Sequence, residues 1–209
     1  MKKRPDKSLL NSNYLSTYNS IETCLMQHNF SLLFPRKIEN QVFDMVSTAQ
    51  KQKVPSKKLA CNKDLNGFCN NLISEYNKTI SKSQKLLESL FSSFLLFSFF
   101  SLLDLLFDGG IIVSTLVICL LVSIGYILST EILSHKKNCS SALRKILILS
   151  IVLIPFILIS LLKNKFEFML IELSFSVSAI LLLLFISIAA ITYYILSEKY
   201  DVFLFIKSK

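Results

Sequence analysis

The sequence lacks the short motifs with which many enzymes bind phosphates, activate water or position a nucleophile. It contains no nucleophile elbow, no P-loop, no HExxH pair and no dinucleotide fingerprint. Its histidines, His28 and His135, are isolated, and such histidines are more often structural or solvated than catalytic. Buried charges are too few for a typical proton-coupled transporter. We therefore expect no enzymatic activity, no catalytic residues and no cofactor.

The cysteines exclude a disulfide scaffold and a structural zinc site. Their number is odd, and they lie in basic regions or inside apolar segments. Cys61 and Cys69 form the nearest pair, but no second close pair and no histidine accompanies them, so the spacing is not that of a zinc site. We expect reduced thiols and no bound metal. The five cysteines are Cys24, Cys61, Cys69, Cys119 and Cys139.

The second half of the chain consists largely of long apolar runs. A helix over Leu90–Phe107 would rise about 27 Å, close to the thickness of the hydrocarbon core of a bilayer. Asp108-Gly109-Gly110 then allows only a tight turn, so the first two runs should form an antiparallel hairpin. We predict four membrane spans, over residues 90–107, 111–130, 146–162 and 173–196.

The distribution of positive charge predicts the orientation in the membrane. Residues 1–88 carry +7 of the formal net charge of +9, and the loop over 131–145 and the residues after the last span are also basic. The opposite side has only Lys163 and Lys165. We predict that the chain lies in the cytoplasmic membrane. The positive-inside rule then places both termini in the cytosol. The cations are scattered without interleaved exposed aromatic residues, so we expect no nucleic-acid partner.

The first half reads as a small cytosolic bundle of three to four helices. Apolar residues recur at helical spacing from about residue 12 to 27, over Arg36–Lys51 and from Leu65 to Ile80, with a short helix after Pro55. No proline or glycine interrupts residues 77–90, so the third helix is expected to continue into the first span as a rigid strut. The predicted fold class is all-α. The predicted domains are a basic disordered tail (1–11), a cytosolic helical domain (12–88), a four-helix transmembrane domain (89–200) and a cytosolic tail (201–209).

This order of elements resembles bacterial membrane proteins of unknown function in which a HAAS-type helical signalling domain precedes four transmembrane helices. The local similarity lies in Ala49-Gln50-Lys51, the following turn with Leu59, and the helix from Leu65 to Ile73. The chain departs from that pattern where Lys53 and Cys61 occupy the two glycine positions of the turn. The resemblance implies signalling or regulation through a cytosolic partner and carries no established chemistry.

Three carboxylates and one proline are the candidate site residues. Asp104 and Asp108 share a helix face at the end of the first span, and Glu172 at the start of the fourth could converge on them in an outward-facing site for a cation or proton. The alternative is that Asp104 reaches interfacial water, paired with Lys163 or Lys165. Pro155 should kink the third span, as a hinge or through plain packing. Ser178 is read as a small packing residue.

Three functions are compatible with these features. The first is a signalling or regulatory adaptor that acts through protein–protein contacts of the cytosolic helical domain. The second is a permease-type subunit that binds a separate ATPase through the loop Ser134–Lys145. The third is an immunity or resistance protein against a membrane-active peptide. The expected partners are the lipid bilayer, a protein bound at the cytosolic domain or at that loop, and a second copy of the chain in a homo-oligomer.

Overall fold

A computed structural model describes residues 5–28, 33–59, 64–135, 141–162 and 165–204. This part of the chain is 82% helical with seven helices and little sheet, which confirms the all-α class. The helices are α1 (Ser12–His28), α2 (Arg36–Lys51), α3 (Leu65–Thr79), α4 (Lys82–Phe107), α5 (Val113–His135), α6 (Ser141–Leu162) and α7 (Phe175–Tyr200). Short 3-10 turns lie at Lys7–Leu9, Ser56–Lys58 and Glu167–Leu170, and the strands are β1 (Leu33–Pro35) and β2 (Val202–Leu204).

The chain divides into two compact units. The first, which we call the helical unit, comprises Met1–Gln84 together with Leu196–Lys209. The second, the apolar unit, comprises Lys85–Ile195. The polypeptide therefore leaves the helical unit once, through α4, and returns to it once, through α7.

The helical unit is built from α1, α2 and α3, which enclose one apolar core. The core is formed by the apolar stripes that the helical periodicity of the sequence predicts, and each fully buried aliphatic side chain contributes about 1.5–3 kcal/mol. Asp64 caps α3, since its carboxylate accepts a hydrogen bond from the Gly67 N–H at 2.9 Å. The residues least exposed in this core are Tyr18, Ile21, Leu25, Val46 and Cys69.

The expected continuity between the third helix and the first span is wrong. Helix α3 ends at Thr79, Ile80 takes an extended conformation (φ −68°, ψ 126°), and α4 begins at Lys82. The Ser81 hydroxyl accepts a hydrogen bond from the Gln84 N–H at 3.1 Å and so starts a new helix. Side chains that can cap a helix compete with helix continuation, even where proline and glycine are absent. No uninterrupted strut therefore joins α3 to α4.

A two-stranded antiparallel sheet brings the end of the chain into the helical unit. Leu33 pairs with Leu204, Phe34 with Phe203 and Pro35 with Val202. The Phe34 and Phe203 rings meet edge to face with centroids 6.0 Å apart. Val202 and Phe203 are buried, so the segment after α7 contributes to the core instead of trailing from it.

Two helices, α4 and α7, are long and apolar enough to cross a membrane, with mean hydropathies of 2.0 and 2.5. Shorter apolar stretches occupy Val113–Leu128 of α5 and Leu149–Leu162 of α6. Aromatic rings join α4 to its neighbours in the apolar unit. Phe94 and Phe97 both contact Phe185 of α7, with centroids 6.0 and 5.2 Å away, and Phe100 contacts Phe156 of α6 at 5.6 Å.

The surfaces of the two units differ in polarity. Among the described residues, every large hydrophobic side chain that is exposed lies in the apolar unit, with the single exception of Leu9. Contiguous exposed apolar surface of this kind is rare on proteins dissolved in water and is typical of surfaces that meet a membrane or a partner. The helical unit, in contrast, covers its core with polar and charged side chains.

Candidate functional site

The carboxylates predicted from the sequence lie at a crossing of two loops, which we call the loop crossing (Asp108–Ile112 and Ile171–Ser174). Ile112 and Glu172 form an isolated antiparallel bridge. The Val113 N–H donates to the Ile171 carbonyl at 3.0 Å, and the Leu173 N–H donates to the Ile111 carbonyl at 2.9 Å. The turn between α4 and α5 is thereby tied to the segment that precedes α7.

Asp104 supports this crossing through the backbone. Its Oδ2 accepts a hydrogen bond from the Ile112 N–H at 3.1 Å, and its own carbonyl accepts from the Asp108 N–H at 2.7 Å. A carboxylate at the start of α5 also interacts favourably with the positive end of that helix dipole. A charge inside an apolar helix is costly unless it is hydrogen-bonded, and the Ile112 N–H supplies such a bond.

Ser178 and Gly110 complete the loop crossing. The fully buried Ser178 hydroxyl accepts from the Ile111 N–H at 2.8 Å and donates to the Leu173 carbonyl at 3.3 Å. A Cβ atom on Gly110 would overlap the Leu173 carbonyl oxygen, so only glycine allows this approach of the two backbones. The sequence predicted only a packing role for Ser178 and did not predict its hydrogen bonds. Its partner Ile111 lies 67 residues earlier in the chain, and its partner Leu173 lies five residues earlier.

The structure places all three predicted carboxylates at or beside the loop crossing. Asp108 and Glu172 are exposed, Asp104 is half-buried, and the Glu172 side chain lies beside Gly110. Within the described ranges, no group of three or more His, Cys, Asp or Glu side chains is arranged to hold a metal ion. Asp104 thus has a structural partner, and the proposed cation or proton site remains a prediction. Of its two alternative partners, Lys163 lies outside the described residues and Lys165 is exposed, so the pairing with a lysine also remains a prediction.

Pro155 lies inside α6 and is buried. Because proline has no N–H, the carbonyl of Ile151, four residues earlier, loses its usual helical partner. The Ile151 side chain packs closely on Gly125 of α5, where a Cβ atom would come within 3.0 Å of it. Pro155 therefore lies one turn from a close helix–helix contact, and its role as a hinge stays a prediction.

The helical unit carries an open groove, lined by polar and apolar side chains, that the sequence did not predict. The groove has a volume of about 660 Å³ and runs along α1 to the start of α3. The Cys24 Sγ at its base lies 3.6 Å from both the Leu65 carbonyl and the Asn66 Oδ1. The sequence signal for this groove was the polar face of α1. Helical periodicity predicted that this face is exposed to solvent, but it did not predict a groove. The lining residues are Ser12, Leu15, Ser16, Asn19, Ser20, Thr23, Cys24, Gln27, Leu65 and Asn66.

A second feature that the sequence did not reveal is the C-terminal strap (Asp201–Leu204). Arg36, at the start of α2, is 5% exposed, and its backbone N–H donates to the Asp201 carbonyl at 3.0 Å. The Arg36 Nε lies 3.5 Å from the Asp201 Oδ1, and the guanidinium carbon lies 5.7 Å from the centre of the Phe203 ring. A buried arginine thus holds the strap by charge and by ring stacking.

Comparison of the chain with protein-family models, with curated proteins and with solved structures gave no significant match. The resemblance to HAAS-type membrane proteins therefore stays a prediction from sequence.

Proposed function

We propose that the protein is an integral protein of the cytoplasmic membrane that crosses the bilayer four times, with both termini in the cytosol. The exposed hydrophobic side chains of the apolar unit support this proposal, because lipid is the solvent that suits them. All backbone groups of a lipid-exposed segment need internal partners, and helices supply them. Helices α5 and α6 have 23 and 22 residues, and in this proposal their apolar stretches, Val113–Leu128 and Leu149–Leu162, lie in the hydrocarbon region.

The path of the chain supports an even number of crossings. The polypeptide leaves the helical unit at Gln84 and re-enters it at Leu196. If the helical unit lies on one side of the membrane, the intervening residues must cross it an even number of times. Four helices meet this condition, and the basic charge of residues 1–88 favours the cytosolic side.

We propose further that the helical unit is a signalling or regulatory adaptor that binds a cytosolic protein. The observation that carries this proposal is the open groove along α1. Among the described residues, its lining combines hydroxyl and amide groups, which can donate and accept hydrogen bonds, with the side chains of Leu15, Cys24 and Leu65. Such a lining suits contact with a protein surface that offers both hydrogen-bonding groups and apolar groups.

The adaptor role can be tested by purifying the full chain in mild detergent from its own membranes and identifying the soluble proteins that accompany it. Ser16→Lys places a long charged side chain in the groove and should abolish copurification of the cytosolic partner. Asn40→Lys, at an exposed position on α2 away from the groove, is the matched control and should retain it. Two results would contradict the proposal. One is a cytosolic partner that still copurifies with the Ser16→Lys variant, and the other is an ATPase as the main copurifying protein.

A further inference from the structure

We propose that one end of the helical unit is a contact surface for the headgroups of anionic phospholipids. We call this end the basic tip (Lys7–Leu9 and residues 51–58). The inference goes beyond the adaptor role, because it assigns a second surface with a different partner. It rests on the proposed function only for the presence of a cytosolic leaflet, whose lipids carry negative charge.

The net charge of residues 1–88 is concentrated in two segments. Residues 1–11 and 50–59 together hold eight of the 14 basic residues of this region and one of its seven acids. The other residues of 1–88 hold six basic residues and six acids, so they contribute no net charge. The whole excess of +7 therefore belongs to these two segments. Three of the eight basic residues, at positions 2–4, lie outside the described residues.

The fold brings the two segments together through Gln50. The Gln50 Nε2 donates a hydrogen bond to the Leu9 carbonyl at 3.0 Å, and its Oε1 accepts one from the Asn11 N–H at 2.7 Å. The Tyr14 hydroxyl donates to the Val54 carbonyl at 2.7 Å. The turn before α1 therefore lies against the turn after α2, although 39 positions separate Asn11 from Gln50 in the sequence.

The lysines of the turn after α2 are available to a partner. Lys51, Lys53 and Lys58 are exposed, and within the described ranges none of them forms an ion pair. Lys7 differs from them, because its Nζ lies 2.8 Å from the Glu22 carboxylate. A lysine ammonium is a hydrated point charge without the fixed fork of arginine. Three such charges on one turn suit a surface with many anionic groups in no fixed arrangement, which phospholipid headgroups provide.

Lys53 occupies a backbone position that usually belongs to glycine. Its φ is 54°, in the left-handed region that residues other than glycine enter at a cost. The Val54 N–H donates to the Ala49 carbonyl and the Lys53 N–H donates to the Gln50 carbonyl, both at 3.0 Å. This is the pair of hydrogen bonds with which a glycine commonly ends a helix. The chain thus has an exposed positive charge at a position where glycine would be favoured for stability.

Leu9 adds an apolar side chain to the basic tip. It is 63% exposed, and in the described part of the helical unit it is the one large hydrophobic side chain that is exposed. The next residue, Leu10, belongs to the core, so the turn is anchored beside Leu9. Asp6, the acid next to this turn, caps it by accepting a hydrogen bond from the Ser8 N–H at 3.0 Å. Basic groups around an exposed leucine are typical of surfaces that bind anionic membranes.

Vesicle flotation of the full chain tests the inference. The chain is held in nanodiscs of phosphatidylcholine, a bilayer without net charge, and is mixed with separate lipid vesicles. We expect the nanodiscs to float with vesicles that contain phosphatidylglycerol and not with vesicles of phosphatidylcholine alone. The binding should weaken as salt is added, because salt screens exposed charges. Retention of the chain in the nanodiscs is measured in the same gradient, so a failure of the proposed membrane role is distinguished from a failure of this inference.

Two variants remove charge from the basic tip. Lys51→Gln, Lys53→Gln and Lys58→Gln in one chain should lower the apparent affinity for phosphatidylglycerol vesicles roughly hundredfold, about fivefold for each lysine. Lys53→Gly removes one charge and also relieves the backbone at that position. It should therefore lower the affinity about fivefold while raising the midpoint of thermal unfolding. A variant that merely folds poorly cannot give this pair of results.

A matched control removes the same number of charges from exposed positions of the helical unit outside the basic tip. Lys37→Gln, Lys78→Gln and Lys82→Gln in one chain should leave vesicle binding almost unchanged. Equal losses in the two triple variants would overturn the inference, since net charge alone would then suffice. Unchanged binding in the tip variant would also overturn it. So would an unaltered chain that ignores phosphatidylglycerol vesicles but copurifies with an acidic protein through the same lysines.

Discussion

Asp104 shows at the scale of one residue how a carboxylate in an apolar helix is stabilised. The Ile112 N–H provides a hydrogen bond that an isolated charge in lipid would lack, and the start of α5 provides a favourable dipole. The same carboxylate would be the central group of the cation or proton site predicted from the sequence. The two roles differ in what they require, since a backbone acceptor needs only an oxygen atom whereas a cation or proton site needs the charge.

This difference leads to a prediction for two substitutions at Asp104. Asp104→Ala should lower the free energy of unfolding by about 1–3 kcal/mol, because it leaves the Ile112 N–H without its acceptor. Asp104→Asn retains an amide oxygen and should cost clearly less. The measurement is the midpoint of unfolding in mixed detergent, followed by circular dichroism. Asp108→Asn, at an exposed position, is the control and should have no effect.

The hydrogen-bond account of Asp104 is wrong if the Asn and Ala variants are equally destabilised. The site hypothesis fails if Asp104→Asn leaves both membrane abundance and the cellular phenotype of the protein unchanged. Loss of phenotype with retained stability would instead favour a functional carboxylate.

At the scale of elements, the junction of α3 and α4 depends on Ser81. Its hydroxyl caps α4, while Gln84 Nε2 donates to the Tyr76 hydroxyl at 2.7 Å and so links the two helices across the break. The junction is thus fixed by polar contacts that replace helical continuity.

We predict that Ser81→Ala destabilises the start of α4. The loss of a serine N-cap costs about 1 kcal/mol. Hydrogen exchange of the amides at residues 82–85 should accelerate about fivefold to tenfold, since a tenfold change corresponds to roughly 1.4 kcal/mol. Ser81→Asp retains an acceptor at the cap and should preserve protection of these amides. Unchanged exchange in Ser81→Ala would contradict the capping role.

The elements also show how far the sequence could predict the fold. Apolar periodicity located α1, α2 and α3 to within one or two residues, and Arg36–Lys51 matches α2 at both ends. The break at Ile80 was missed because the absence of proline and glycine indicated a continuous helix. A serine that can cap a new helix is a weaker signal in the sequence. The strand pair was missed for two reasons. A strand of three residues is too short to show an alternation of apolar and polar side chains, and the paired residues Pro35 and Val202 are separated by 167 positions in the sequence.

The candidate sites were only partly predictable for a related physical reason. Charges within apolar runs attract notice, so Asp104 and Glu172 were identified, and the structure brings them to one loop crossing. The groove, the strap and the hydroxyl of Ser178 depend on residues that are ordinary in type. Their roles depend on contacts between residues that are far apart in the sequence, such as Ser178 and Ile111. Such contacts cannot be predicted from a single sequence.

At the scale of the whole molecule, α4 and α7 join two units, and among the described residues nearly all exposed large hydrophobic side chains lie in the apolar unit. The chain begins in the helical unit, passes through the apolar unit and returns to the helical unit. In our proposal these units are the cytosolic part and the membrane part of the protein. Two helices, α4 and α7, are long and apolar enough to cross a membrane. The central claim is that α5 and α6 cross as well, so that the segment between them returns to the cytosol.

Cysteine labelling in intact cells tests this claim most directly. Cys139 lies between α5 and α6, while Cys24, Cys69 and Cys119 are buried. In a chain carrying Cys61→Ser, a membrane-impermeant maleimide should leave Cys139 unlabelled until the cells are permeabilised. Added Asp108→Cys, at the turn between α4 and α5, should be labelled without permeabilisation. Labelling of Cys139 in intact cells would contradict four crossings and leave only α4 and α7 as spans.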